Sequence, residues 1–157
     1  MKDLDEQRAR YLIQDFKQGF IDFCQFEVEH IKAGFLQSSL QVSPFHRQQD
    51  GFVHAGVMAT MADHTAGYAS FTLLDPQQQI LTIEFKINFL SPAQGPRLVC
   101  TAQVLKSGKK LFVTESQVFD GDPDSGVLAA KATVTLMPVS REALRKRQPA
   151  AEPGGSS

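Results

Sequence analysis

Between Val57 and Leu74 almost every position is apolar or small: Val57, Met58, Ala59, Met61, Ala62, Ala66, Tyr68, Ala69, Phe71, Leu73 and Leu74. The segment reads as a helix over about 55–74, and a helix apolar all round has to be buried all round. The rest of the chain must therefore supply its cover. With 157 residues there is enough chain for one core and too little for two.

The cover is legible as strands. Leu81, Ile83, Phe85, Ile87 and Phe89 alternate with Thr82, Glu84, Lys86 and Asn88 until Pro92, the period of a half-buried strand. Further strands are predicted at Leu98–Lys106, Leu111–Phe119 and Val127–Met137, separated by turns at 107–110 and 121–126, so they form an antiparallel meander. Phe26–Ser43 reads as two strands broken at Ala33-Gly34. An antiparallel sheet curled around one long helix is the economical arrangement, an α+β fold. Ahead of it, Leu12, Ile13, Phe16, Phe20 and Phe23 recur at spacings of three and four, predicting an amphipathic helix over about 4–23. One domain over 1–140 follows, with 141–157 a basic, Pro/Gly/Ser-rich tail expected to be disordered.

Within the apolar helix one stripe differs: Thr60, Asp63, Gly67 and Ser70 share a face. A carboxylate inside a buried helix needs compensation. That compensation is either an internal hydrogen bond that only fixes packing or a site where Asp63 serves as base or nucleophile. Gly51-Phe52-Val53-His54-Ala55-Gly56 leads into the helix with small residues that leave N–H groups open to developing negative charge. Those amides lie about 12 Å from Asp63 at 1.5 Å per residue, so one chain cannot bring both to one carbonyl. If both act on one substrate, two antiparallel copies of the helix must meet, which predicts a two-fold homodimer.

His54-Ala55-Gly56, Asp63 nine positions after the histidine, Phe85 to Ala93 and Lys106-Ser107-Gly108-Lys109 together resemble the hotdog-fold acyl-CoA thioesterases of the phenylacetate-pathway (PaaI-like) type, over roughly Gln48 to Met137. The resemblance implies a hotdog fold and hydrolysis of an acyl-CoA to a carboxylic acid and CoA, with Asp63 as general base or nucleophile, in a homodimer whose family commonly pairs into a tetramer. It places the Ala55 amide on the thioester oxygen, with Gly56 completing the small-residue entry. Thr82 and Gln48 fall where family residues position the water or the carboxylate. Lys106, Gly108 and Lys109 fall in a turn near coenzyme A phosphates, though a solvated hairpin would look the same. His54 is mainly architectural in that family, with a direct chemical role the alternative. His64 reads as a packed or interface histidine, while His30 and His46 have no nameable partner. The family's usual His-Gly-Gly is His-Ala-Gly here, and alanine resists a positive φ.

Other features bound the function. Sixteen Lys and Arg against seventeen Asp and Glu give no electrostatic reason to bind nucleic acid or anionic membrane. No signal-peptide or membrane-span pattern is visible, so a cytoplasmic location is expected. Cys24 and Cys100 sit in no metal-ligand spacing and read as buried thiols. No metal is expected, and no cofactor beyond the CoA of the substrate. Met58, Met61, Tyr68 and Phe71 suggest an apolar acyl pocket. A non-catalytic acyl-CoA sensor remains an alternative, whereas an enoyl-CoA hydratase lacks its Asp-x-Asn-Pro-x-His pattern here.

Overall fold

The computed structural model describes residues 4–146. The elements run α1 (Glu6–Phe16), α2 (Phe20–Cys24), β1 (Glu27–Lys32), β2 (Phe35–Gln41), α3 (Ala55–Phe71), β3 (Gln78–Phe89), β4 (Arg97–Ser107), β5 (Phe112–Asp120), β6 (Val127–Ser140) and α4 (Arg141–Arg145), with a short 3₁₀ turn at Pro44–His46. The strands form one antiparallel sheet in the order β1-β2-β4-β5-β6-β3. The predicted meander is β4-β5-β6. β3 skips its sequence neighbour β4 and pairs with β6, so it becomes one of the two edge strands, with β1 the other.

α3 lies in the concave face of this sheet, as the α+β reading requires. Its small residues, among them Ala62, Ala66 and Ala69, are fully buried and let the strands approach closely. Met61 and Phe71 are fully buried too, each contributing roughly 1.5–3 kcal/mol. Hydroxyls anchor the helix to the sheet: Ser38 Oγ bonds Thr65 Oγ1 at 2.7 Å, and Ser70 Oγ bonds Thr114 Oγ1 at 2.7 Å. Ser70 is thus committed to packing and leaves the stripe that the spacing assigned to a site. Past the helix end, the Thr72 hydroxyl donates to Ala69 O and accepts from Gly34 N, which ties it to the β1–β2 turn. Gly34 has a φ of +73° there, a value that suits glycine.

Three expectations need correction. The single helix over 4–23 is two helices, because the chain breaks before Gly19, whose φ is +60°. The break resets the helical phase, so Ile21 and Cys24 are buried while Phe20 and Phe23 are exposed. α3 is not covered all round: it ends at Phe71 rather than Leu74, its first turn at Ala55 and Gly56 is exposed, and Asp63 and His64 are only half buried. β6 runs past Pro138 to Ser140, because β5 begins at Phe112 opposite Leu136 and only β3 pairs with β6 beyond that point. The tail residues from 147 onward lie outside the described residues.

A further departure, from strict strand alternation, shapes the site. Thr82 pairs with Leu136 and Glu84 with Thr135, which leaves Ile83 as an extra residue, a β-bulge. Strict alternation would group Thr82 with the outward Glu84, Lys86 and Asn88. The bulge instead puts Thr82 opposite buried Leu136, on the same face as Phe85 opposite Val134 and Ile87 opposite Ala132, and that face looks at α3.

Candidate active site

Asp63 sits midway along α3 and receives a hydrogen bond from Thr82 Oγ1 at 2.8 Å. The bulge makes this contact possible. Burial pushes the Asp63 carboxyl above its ordinary value, and the Thr82 hydrogen bond works in the opposite direction. Both residues line a cavity of about 220 Å³, together with His64, Gly67, Tyr68, Phe71, Gln79, Ile80 and Leu136. A carboxylate with a raised pKa, one oxygen held by a hydroxyl and an open cavity beside it, is equipped to take a proton or to attack a carbonyl.

The other sequence-derived group gathers at the start of α3. His54 caps the helix, its Nδ1 accepting from Gly56 N at 2.8 Å. The Val57 amide donates to His54 O at 2.9 Å. Among the described residues the Ala55 amide has no partner, so it is the first-turn donor left for a ligand, while the Gly56 amide is occupied. A side chain at Gly56 would crowd the His54 ring, since a Cβ there would stand 3.0 Å from His54 Nδ1. His54 therefore caps the helix start. Ala55 is the first residue of the helix, and Gln25 is the one non-glycine with a positive φ among the described residues, so the Gly-to-Ala departure imposes no backbone strain.

Gln48, His54 and Ala55 line a second cavity of about 480 Å³ with Phe52, Met58, Phe89 and Pro92. The Gln48 side-chain oxygen accepts from Asp50 N, shaping the loop that approaches α3. Within one chain Gln48, His54, Ala55 and Gly56 thus gather at the start of α3 and Asp63 and Thr82 at its middle, with Ala55 and Asp63 eight residues apart along the helix. Gly108 and Lys109 line a groove of about 840 Å³ at the far end of α3, with Arg8, Thr72 and Gln78; Lys106 lies in β4 outside it. Of the four residues expected to form an apolar pocket, Tyr68 and Phe71 line the Asp63 cavity and Met58 the second cavity, but Met61 is fully buried in the core.

Several contacts had no signature in the sequence. α1 lies against α3: His64 Nε2 donates to Phe16 O at 2.9 Å and the Tyr68 hydroxyl donates to Asp15 at 2.8 Å. Burial lowers the His64 pKa, so the ring is held neutral as a packed histidine. His46 Nδ1 accepts from Ser43 N and its Nε2 donates to Cys24 O, which joins the 3₁₀ turn to α2. Cys24 and Cys100 are free buried thiols, and burial pushes Cys100 up to about 12. No group of three His, Cys, Asp or Glu able to hold a metal occurs among the described residues. No helix there is long and apolar enough to cross a membrane.

A sheet wrapped around one helix, with a carboxylate at mid-helix and a free amide at the helix start, defines the hotdog-fold thioesterases as the class. The Thioesterase superfamily profile matches residues 50–127, and the chain belongs to that superfamily, a family of thioester hydrolases. It is similar to a crystallised thioesterase family protein from Silicibacter pomeroyi at 31% identity, covering 84% of this chain and 98% of that one, with a TM-score of 0.79. It is also similar to a 1,4-dihydroxy-2-naphthoyl-CoA hydrolase of Listeria monocytogenes, at 26% identity over 60% of this chain and 76% of that one. A Haemophilus influenzae thioesterase shares the fold at a TM-score of 0.78 with 16% identity, covering 89% of this chain and 96% of that one.

Proposed function

We propose that this protein hydrolyses acyl-CoA thioesters at a site shared by two copies of the chain. The carrying observation is the Asp63–Thr82 pair in a cavity, eight residues along α3 from the unpartnered Ala55 amide. Antiparallel pairing of two α3 helices brings each Ala55 amide to the other copy's Asp63. The carbonyl oxygen of the thioester then accepts from that amide, which stabilises the oxyanion as charge develops. Asp63 takes a proton from water, the water oxygen attacks the carbonyl carbon, and the collapsing intermediate expels the CoA thiolate, which recovers the proton from Asp63. In the alternative route Asp63 attacks directly and water cleaves the resulting anhydride. Either route needs only the carboxylate, the amide and water.

Three features support the assembly and the substrate. Among the described residues of one chain the outer edge of β3 is unpaired over its twelve residues, and Leu81, Ile83, Phe85 and Phe89 are exposed along it, a surface suited to strand pairing between copies. Listeria and Escherichia coli relatives are 1,4-dihydroxy-2-naphthoyl-CoA hydrolases. The groove at the far end of α3 offers Arg8 and Lys109 to phosphates, and Thr72 beside it is about 14 Å along the helix from Asp63, a span on the scale of a pantetheine arm. That direction for CoA leaves the apolar cavity at the partner helix start, with Met58, Phe52 and Phe89, for the acyl group.

The test is thiol release from a panel of acyl-CoAs by the native chain and by Asp63→Asn. Fast release for one acyl class, lost in Asp63→Asn while the dimer persists in sedimentation, is the expected result. Binding without turnover in the native protein would replace the enzyme with an acyl-CoA sensor.

A further inference from the structure

Gly67 sits in the interior of α3, where glycine is the least favourable residue after proline, and nothing in the described fold requires it. Its φ is not positive, unlike those of Gly19, Gly34, Gly51 and Gly121, so the backbone there suits any residue that forms a helix. Packing makes no demand either. Beyond the adjacent backbone, a Cβ at Gly67 would have one neighbour within 4 Å, Leu136 Cδ2 at 3.9 Å, an ordinary van der Waals contact. The small residues Ala62, Ala66 and Ala69 differ, being fully buried in the core under the sheet. The space that a side chain at 67 would enter is the cavity of about 220 Å³ beside Asp63, since Gly67 and Leu136 are both walls of it. Asp63, Gly67 and Phe71 all line that cavity and recur every four residues, which makes them one track along the helix. Thr72, next after Phe71, borders the groove of about 840 Å³. Gly67 is about 6 Å along the axis from Asp63. A ligand whose reactive carbonyl rests at Asp63 and whose far end lies in that groove crosses the track at Gly67.

Resting on the acyl-CoA reading above, we propose that Gly67 is a specificity-determining residue: the absence of a side chain there gives passage to the pantetheine arm just beyond the thioester sulfur. Helix stability is given up for that passage. Gly67 meets the carrier half of the substrate and takes no part in the chemistry, and the acyl group lies on the other side of the carbonyl, toward the partner helix start.

The experiment compares Gly67→Ala with the native chain in stability, assembly and selectivity. Its melting temperature should rise by about 1–4 °C, the usual gain when alanine replaces glycine at a compatible position in a domain of this size. Sedimentation should show the same assembly. One acyl group is then presented on pantetheine and on methanethiol. The methyl ester ends one carbon past sulfur, short of Gly67, whereas the pantetheine ester runs across it. The ratio of kcat/KM, pantetheine ester over methyl ester, should therefore fall about tenfold in Gly67→Ala, the scale on which pockets respond to one carbon of misfit. The ranking of different acyl groups on pantetheine should stay as it is in the native chain. A lower melting temperature would show that the glycine serves packing, and a lost dimer that the partner chain fills the space; either overturns the proposal. So does an unchanged ratio between the two esters, or a changed ranking of acyl groups, which would put the acyl chain over Gly67. If the native chain cleaves no thioester, the acyl-CoA reading fails by itself, and calorimetric titration with coenzyme A decides the role of Gly67. About tenfold weaker binding in Gly67→Ala upholds it; equal binding, or none to either chain, refutes it.

Discussion

Replacing Thr82 with valine tests whether the bulge-directed hydroxyl tunes the Asp63 carboxylate. Valine keeps the β-branched shape, so the strand should persist, and removes the 2.8 Å hydrogen bond. A hydrogen bond to a charged group is worth about 1.5–3 kcal/mol. Thr82 is exposed in the single chain, so solvent screening reduces the figure to about 1 kcal/mol. About 1 kcal/mol corresponds to roughly a fivefold loss in an equilibrium that favours the ionised carboxylate. The Asp63 pKa therefore moves upward, because Thr82 counteracts the rise that burial causes. If the carboxylate is the active form, as proposed, the acid limb of the kcat/KM–pH profile should shift to higher pH in Thr82→Val, with activity at a given pH on that limb about fivefold lower, and stay near its native position in Thr82→Ser. The assay is thiol release from one acyl-CoA at a series of pH values, with oligomeric state checked at each. An acid limb that stays put while the plateau drops would show that Thr82 positions water or substrate and does not tune Asp63.

Ala55→Pro removes the proposed oxyanion donor with little harm to the fold: it is the first helical residue, where proline is favoured, and His54 before it has an extended backbone that proline accepts. Hydrolysis should fall about 10²–10³-fold while the melting temperature holds within a few degrees, and near-native turnover would dismiss the Ala55 amide. Asp63→Asn should also change stability with pH. Because burial raises the folded-state pKa of Asp63, its contribution is most favourable below the unfolded value and is lost as pH rises through the raised one. The variant should therefore melt above native near neutral pH, and the gap should close as pH falls below the ordinary carboxylate range; a gap independent of pH would contradict the shift.

Local chemistry made much of this protein readable without coordinates. The all-round apolar run of α3 demanded a cover, the alternating strands supplied one, and Ala33-Gly34 marked the β1–β2 turn where Gly34 takes its positive φ. Asp63 stood out because a carboxylate inside such a helix is costly without a purpose. These features depend on periodicities of two and 3.6 and on single-residue backbone preferences, which a linear sequence carries in full.

What remained hidden depends on contacts between residues far apart in the chain. Nothing in Leu81-Thr82-Ile83-Glu84 announces a bulge, since its register is set by pairing with β6 some fifty residues later, yet that register alone turns Thr82 toward Asp63. The broken N-terminal helix is similar: Phe20 and Phe23 keep the helical spacing, but Gly19 rotates the phase and buries Ile21 and Cys24 instead. The helix start offered several amides in the sequence, and only the fold shows that the His54 cap takes that of Gly56 and leaves that of Ala55 without a partner among the described residues. Arg8 came near the site only because α1 packs on α3 through His64 and Tyr68. The sequence by itself determined the central helix, the strands that cover it and Asp63 as the candidate residue; tertiary structure decided which side chains that residue meets, because a one-residue slip in a strand or a helical phase sends a side chain to the opposite face.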